Sequence, residues 1–122
     1  MVHPVDLHVG ASLRAFRKEA RMSQEALARH LGVTFQQVQK YERGTNRMSA
    51  SKLYETAQLL QLPVGLFFEG LESARSGDHD PLLASIAGDP ELRRLIRLYQ
   101  TQPSDQAKRR ILETIEIVTR PL

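Results

Sequence analysis

Two short apolar-periodic segments meet at a single glycine, and this junction is the feature that most restricts the fold. The first segment opens at Ser23, a residue type that caps helices by accepting a backbone N–H. Leu27, Ala28 and Leu31 then fall on the inward helical face. Gly32 follows as a residue that adopts the left-handed conformation which ends helices. Thr34 can cap a second helix directly afterwards. The chain is therefore expected to form two short helices joined by a sharp turn.

The second of these helices carries side chains of two kinds. Val38 and Tyr41 are spaced to face a core. Gln36, Gln37 and Lys40 instead fall on the outer and leading surfaces. Side-chain amides pair well with adenine edges in the major groove of DNA, and a helix-turn-helix lays its second helix in that groove. The segment therefore predicts a DNA-binding surface.

Helical periodicity continues on both sides of this junction, and no segment alternates strictly as a half-buried strand would, which predicts an all-α protein. A first helix is expected over residues 6–20, with Asp6 as its N-cap. A fourth is expected to begin at Ser49 or Ser51, and a short fifth to span residues 64–68. The residues expected to face inward on these helices are Val9, Leu13, Phe16, Ala20, Leu53, Ala57, Leu60, Leu66, Phe67 and Phe68.

The remainder of the chain is predicted to be a linker over residues 72–80 and three further short helices. About forty residues do not readily form a core of their own, so the apolar stripes of these helices need a partner surface. They either fold back on the first five helices or pair with a second copy of the chain. Pairing is favoured here because a two-fold dimer contacts two half-sites on DNA. The capping pairs are Asp80 with Pro81, Asp89 with Pro90, and Ser104 with Pro103, and the stripes contain Leu92, Leu95, Ile96 and Tyr99, then Ala107, Ile111, Leu112, Ile115 and Val118.

Composition narrows the function classes. Of the 122 residues, 17 are Lys or Arg and 14 are Asp or Glu, a formal net charge of +3 that permits a nucleic-acid partner without requiring one. With no cysteine, the chain has no disulfide, no thiolate metal site and no thiol nucleophile. Its four histidines lack metal-ligand spacing, and no phosphate-cradling glycine loop or nucleophile motif is present. We therefore expect no enzyme activity, no metal and no cofactor.

The sequence also bears on the cellular location of the protein. No stretch approaches the ~18 consecutive apolar residues of a membrane-spanning helix. The first residues lack the basic head and apolar run of a secretory signal. A cytoplasmic protein without a membrane partner is expected.

From residue 5 to about residue 71, the chain resembles the Cro and lambda-repressor type of helix-turn-helix, also called the xenobiotic-response-element family. The resemblance implies a five-helix DNA-binding domain over residues 6–71. It does not extend to the helical C-terminal region over residues 81–122, where dimer formation is expected from the apolar stripes alone. It also implies a sequence-specific transcription regulator that binds double-stranded DNA as a homodimer on an inverted repeat. The strings that carry it are MSQEALA at 22–28, LGVT at 31–34, YERG at 41–44 and, as in a bacterial subgroup of such regulators, NRMSAS at 46–51 and LFFEGL at 66–71.

The resemblance further implies roles for individual residues. Gln24 matches a position that contacts phosphate, and Arg17 and Glu42 match an ion pair that orients the arginine toward a phosphate. Phe35 departs from the commoner polar residue, so it either packs on a thymine methyl or lies under the helix in the core. Gln39 is expected to face solvent or a phosphate. The implied base-reading residues are Phe35, Gln36, Gln37 and Lys40, and the implied phosphate-binding residues are Arg17, Gln24, Thr34, Arg43, Thr45, Asn46 and Arg47, with Lys52 assisting.

A second function class stays open. The C-terminal helices would bind another protein, as in the antitoxin of a toxin pair or an adaptor, and DNA binding would then serve autoregulation. The same helix-turn-helix suits either role, so its residues do not separate them. A small-molecule sensor is disfavoured, because the region after the linker is too short to enclose a sizeable pocket.

Overall fold

A computed structural model describes residues 2–71 and 80–121, and every regular element within these ranges is helical. The all-α fold predicted from periodicity is confirmed. The predicted linker, apart from Asp80, lies outside the described residues. The longest helix described has 16 residues, and none of those described is both long and apolar enough to cross a membrane. The elements are α1 (Pro4–Glu19), α2 (Gln24–Leu31), α3 (Phe35–Arg43), α4 (Ala50–Leu60), a 3₁₀ helix (Val64–Phe68), α5 (Pro81–Gly88), α6 (Pro90–Gln100) and α7 (Asp105–Val118).

Hydroxyl side chains begin α2, α3 and α4, as predicted. Ser23 and Thr34 each accept a backbone N–H from three residues further on, with donor-to-acceptor distances of 3.0 and 3.1 Å. Of the two candidates for α4, Ser49 is the cap and Ser51 lies in the first turn. Gly32 ends α2 with a φ of +68°. These caps and turns involve residues close in sequence, which is why the sequence was sufficient to place them.

The start of α1 differs from the prediction. The helix begins at Pro4, and its N-cap is His3, whose Nδ1 accepts the backbone N–H of Val5 at 3.1 Å. Proline suits the first helical position because it has no N–H to leave unpaired and its φ is already helical. Asp6 is therefore not the cap. It lies in the first turn, where the helix dipole favours its negative charge and its carboxylate is available to residues outside the helix.

The core is formed mainly by side chains of α1 to α4 and the 3₁₀ helix. Phe67 of the 3₁₀ helix is completely buried and meets Phe16 edge to face, with ring centroids 5.2 Å apart. Ala20 and Phe68, also predicted to face inward, are only half-buried. The other predicted core residues are buried: Val9, Leu13, Leu27, Ala28, Leu31, Val38, Tyr41, Leu53, Ala57, Leu60 and Leu66.

Two glycines let α1 pass very close to the end of α3. A Cβ on Gly10 would overlap the carbonyl oxygen of Tyr41, and a Cβ on Gly44 would lie 2.8 Å from the Cα of Leu7. Neither gap admits a side chain unless the backbone moves. α1 is therefore held directly against the helix that carries the predicted base-reading residues.

α5 and α6 fold back on the preceding helices, which is one of the two arrangements that the sequence left open. Ile86 of α5 is buried in the same core as the residues of α1 to α4. Arg93 of α6 is buried as well, where it pairs with Glu19 of α1 and donates to the carbonyl oxygens of Ile86 and Ala87 at 2.7 and 2.5 Å. The hydrogen bond from Arg93 holds the pKa of Glu19 below its ordinary value.

α7 packs on α6 but buries none of its own residues completely. Leu112 and Val118 are 51% and 73% exposed, although both belong to the predicted apolar stripe. The caps predicted for the three C-terminal helices are confirmed, since Asp80, Asp89 and Ser104 each accept a first-turn N–H. Between α6 and α7 runs an apolar depression, here called the α6–α7 groove, lined by Leu95, Ile96, Tyr99, Gln100, Ile111, Leu112 and Ile115.

Candidate nucleic-acid interface

The junction between α2 and α3 is a tight turn with both ends defined by local hydrogen bonds. Gly32 is left-handed, and its backbone N–H donates to the carbonyls of the last turn of α2. The N–H of Val33 donates to the carbonyl of Ala28 at 3.1 Å, which completes the closing motif of the helix. Thr34 then opens α3. The predicted pair of helices joined by a sharp turn is confirmed.

α3 has a buried side and an exposed side. Val38, Tyr41 and Glu42 are buried. Gln36 and Lys40, four residues apart, are exposed on the opposite side, so their side chains can meet a ligand together. Gln37 is half-buried beside them.

The sequence left two positions open for Phe35, the first residue of α3: exposed for contact with a thymine methyl group, or buried under the helix. Its relative exposure is 36%, and it is absent from the buried core. The position under the helix is therefore not adopted. An aromatic face at the leading end of α3 is open to apolar contact.

The predicted ion pair between α1 and α3 is present. Arg17 Nε donates to Glu42 Oε2 at 2.5 Å and Arg17 Nη2 donates to Glu42 Oε1 at 3.0 Å, while the two side chains are only 9% and 3% exposed. Arg17 Nη1 donates to the carbonyl of Met22 at 2.8 Å. Gln24 Nε2 donates to the same Glu42 Oε1 at 2.8 Å. Arg17 and Gln24 are thus engaged with the protein, and together they fix α3 relative to α1 and α2.

The loop after α3 folds back on the last turn of that helix. Gly44 is left-handed with a φ of +75°, and the backbone N–H groups of Thr45 and Asn46 both donate to the carbonyl of Lys40. Thr45 Oγ1 donates to the same carbonyl at 3.2 Å. Arg47 follows with its side chain 71% exposed. The hydrogen bonds to the Lys40 carbonyl therefore fix the direction in which the loop leaves α3 toward Arg47.

A polar depression lies between α1, α2 and α3. Arg43 and Arg14 are exposed at its edge, and Gln39 joins them. Its floor is the Arg17–Glu42 pair. Arg14 was not among the predicted phosphate-binding residues, although it lines the same depression as Arg43. The three-residue spacing of Arg14 and Arg17 was the available signal, because residues at that spacing share one side of a helix.

Lys52 takes a different position from the one expected for an assisting phosphate contact. Its Nζ donates to the carbonyl of Leu31 at 2.6 Å, at the end of α2, and lies 3.4 Å from Glu55. A cation is favourable there because unpaired carbonyls give a helix C-terminus partial negative charge. Lys52 therefore joins α4 to the end of α2.

A family model, a relative and a solved structure all match this chain over at least the helix-turn-helix region. A helix-turn-helix family model matches residues 13–67. The HTH-type transcriptional regulator y4wC of Sinorhizobium fredii is 35% identical over 121 residues, which covers 92% of this chain and 85% of that protein. The crystal structure of the clp gene regulator ClgR from Corynebacterium glutamicum shares the fold, with a TM-score of 0.53 at 24% identity over 84% of this chain and 100% of that chain.

Other relatives match a shorter part of the chain at higher identity. A transcriptional regulator in the ATPase CF(0) region of Rhodospirillum rubrum is 54% identical over 71 residues, 58% of this chain and 66% of that protein. An HTH-type transcriptional regulator of Sinorhizobium medicae is 54% identical over 67 residues, 55% of this chain and 48% of that protein. The chain thus spans between about half and two thirds of the length of these relatives. Together with the near full-length match in S. fredii, they show that the chain belongs to the bacterial HTH-type transcriptional regulators of the Cro and lambda-repressor kind.

Proposed function

We propose that the protein is a sequence-specific DNA-binding transcription regulator of the bacterial cytoplasm that inserts α3 into the major groove. The observation that supports this most directly is the position of Gln36 and Lys40. They are exposed on the side of α3 opposite buried Val38 and Tyr41, and the loop that leads to exposed Arg47 is hydrogen-bonded to the carbonyl of Lys40. Polar donors on an exposed helix, flanked by a cation, suit base edges between two phosphate backbones.

The chemistry of the exposed side of α3 fits direct contact with bases. A glutamine amide both donates and accepts, so Gln36 or Gln37 can bond adenine at two atoms. Lys40 can donate to the acceptors of guanine. Phe35 offers an apolar surface for a thymine methyl group.

Affinity is proposed to come mainly from cations and N–H groups around α3. Arg43 and Arg47 are exposed at its end, and Arg14 is exposed across the polar depression. Thr34 would add its hydroxyl and Asn46 its side-chain amide as donors to phosphates, whereas both donors of Thr45 bond to the carbonyl of Lys40 and hold the loop in place. Arg17 and Gln24 are proposed to act chiefly by holding α3 in place, since their donors bind Glu42 and Met22.

A titration with a duplex selected from random DNA tests the proposal. Gln36→Ala should reduce discrimination at one base pair by roughly 1–3 kcal/mol. Arg47→Ala should weaken binding to all sequences alike and lower the salt dependence of log K by about 0.9 per lost phosphate contact. Gln106→Ala and Arg94→Ala, exposed residues of the same types on α7 and α6, are matched controls that should change neither property. The proposal fails if the two α3-side variants bind as the controls do.

We further propose that the protein binds an inverted repeat as a homodimer, with the α6–α7 groove as the contact between copies. Among the described helices, α7 has no fully buried residue, which leaves an apolar surface without a partner in one chain. Charge favours a second copy as its occupant, because α7 is basic in its first half at Lys108 and Arg109 and acidic later at Glu116. Antiparallel pairing centred on Leu112 would place these opposite charges near each other.

A further inference from the structure

The side chain of Arg47 is paired with the carboxylate of Asp6, in the first turn of α1. Arg47 Nε donates to Asp6 Oδ2 at 3.2 Å and to Asp6 Oδ1 at 3.3 Å, across a separation of 41 residues in sequence. The arginine side chain is 71% exposed, whereas that of Asp6 is 17% exposed. The acid is therefore the fixed member of the pair and the arginine is the member that reaches outward.

The pair uses only part of the guanidinium. This group is planar and carries five N–H donors, one on Nε and four on Nη1 and Nη2. Within residues 2–71 and 80–121, Nε is the atom of Arg47 that bonds to the protein, and Nη1 and Nη2 have no protein partner. Holding Nε fixes the plane of the group and leaves the outer edge for an oxyanion, with which arginine forms two parallel hydrogen bonds.

The backbone around Asp6 is itself held against the loop that carries Arg47. A Cβ on Gly44 would lie 2.8 Å from the Cα of Leu7 and 3.0 Å from the carbonyl oxygen of Asp6. The first turn of α1 and the start of the 44–47 loop are thus in direct contact. The carboxylate therefore extends from a backbone that is packed directly against this loop.

From these contacts we propose that Asp6 is a positioning residue for DNA binding: it orients the guanidinium of Arg47 so that Nη1 and Nη2 meet a phosphate. This inference rests on the proposed function. A purely competitive role, in which Asp6 takes the place of a phosphate, would give the opposite sign on mutation. The bond through Nε alone favours positioning, because a competitor would occupy the outer edge that a phosphate needs.

The test measures binding of the full chain to the selected duplex at one fixed salt concentration. Asp6→Ala should weaken binding roughly two- to tenfold, the range expected when a long side chain must be ordered at the interface. Asp6→Asn should bind close to wild type, because its amide oxygen still accepts from Nε. In an Arg47→Ala background, Asp6→Ala should cause no further weakening. Glu91→Ala, which removes an exposed first-turn acid from α6, is the control for net charge and should leave binding unchanged.

Several outcomes would overturn the inference. It is wrong if Asp6→Ala binds as tightly as wild type or more tightly, or if it weakens binding by the same factor when Arg47 is already alanine. If the alanine variant does not fold, Asp6→Ser repeats the test, because serine is accepted in a first helical turn but is too short to reach Nε. If selection from random DNA yields no duplex that the wild-type chain binds, the proposed function and this inference both fail. If the wild type binds a selected duplex tightly and Asp6→Ala does not change the affinity, this inference alone fails.

Discussion

Glu42 shows how a single residue joins three helices. Its carboxylate, 3% exposed, accepts hydrogen bonds from Arg17 of α1 and Gln24 of α2. An isolated charge at this depth would be strongly unfavourable, so the pair is stable only while both charges are present. The orientation of the exposed side of α3 depends on this contact, because Glu42 joins the last turn of α3 to α1 and α2.

Breaking this pair should destabilise the fold. Glu42→Gln keeps the shape of the side chain but leaves Arg17 buried without a compensating charge, and it should lower the free energy of unfolding by about 3–5 kcal/mol. Urea unfolding followed by circular dichroism measures the change. Glu55→Gln removes an exposed acid paired with Lys52 at 3.4 Å and should cost less than about 1 kcal/mol. Similar losses in the two variants would contradict the role given to Glu42.

At the scale of elements, the two glycines that end α2 and α3 have different surroundings. Gly32 and Gly44 are both left-handed, with φ of +68° and +75°. A Cβ on Gly32 would meet nothing within 4 Å, whereas one on Gly44 would meet the backbone of Leu7. The first glycine serves only the turn, and the second also lets α1 approach α3.

Alanine at each glycine should separate these two effects. Gly32→Ala should cost about 1–2 kcal/mol, the usual penalty for a left-handed residue with a side chain. Gly44→Ala should cost clearly more, because the added methyl group also forces the first turn of α1 away from the loop. Parallel denaturant titrations of both variants provide the comparison. Equal costs would show that the close approach at Gly44 contributes nothing to stability.

At the scale of the whole molecule, the C-terminal helices are attached to the core of α1 to α4 at one end and are unpartnered at the other within one chain. Ile86 and the ion pair of Arg93 with Glu19 join α5 and α6 to the core. Arg97 Nη2 also donates to Glu19, at 3.3 Å. A dimer formed through the α6–α7 groove would therefore set the spacing of two α3 helices through a continuous set of contacts.

Disrupting the groove should separate the copies without unfolding them. Leu112→Glu places two like charges face to face in the proposed antiparallel contact, so the wild-type dimer should become a monomer in sedimentation velocity and bind an inverted repeat less tightly. Leu82→Glu changes a residue that is 64% exposed on α5 and should stay dimeric. A monomeric wild type, or a dimeric Leu112→Glu variant, would contradict the homodimer and favour a partner protein as the occupant of the groove.

The sequence by itself determined the order of the helices, the caps at Ser23 and Thr34, and the left-handed turn at Gly32, and it narrowed the cap of α4 to Ser49 or Ser51. It also placed Gln36 and Lys40 on the outward side of α3. These features depend on hydrogen bonds between residues three or four apart and on helical periodicity, so a short stretch of chain contains all the atoms involved. The resemblance to a known family added the ion pair between α1 and α3.

The tertiary structure alone decided how distant segments meet. It turned Asp6 toward Arg47 and brought Arg14 and Arg43 to the same polar depression. It also decided that α5 and α6 pack against the preceding helices. Such contacts join residues as far as 78 positions apart, as Glu19 and Arg97 are. No local pattern encodes them, because they depend on where packing of the whole core places each helix.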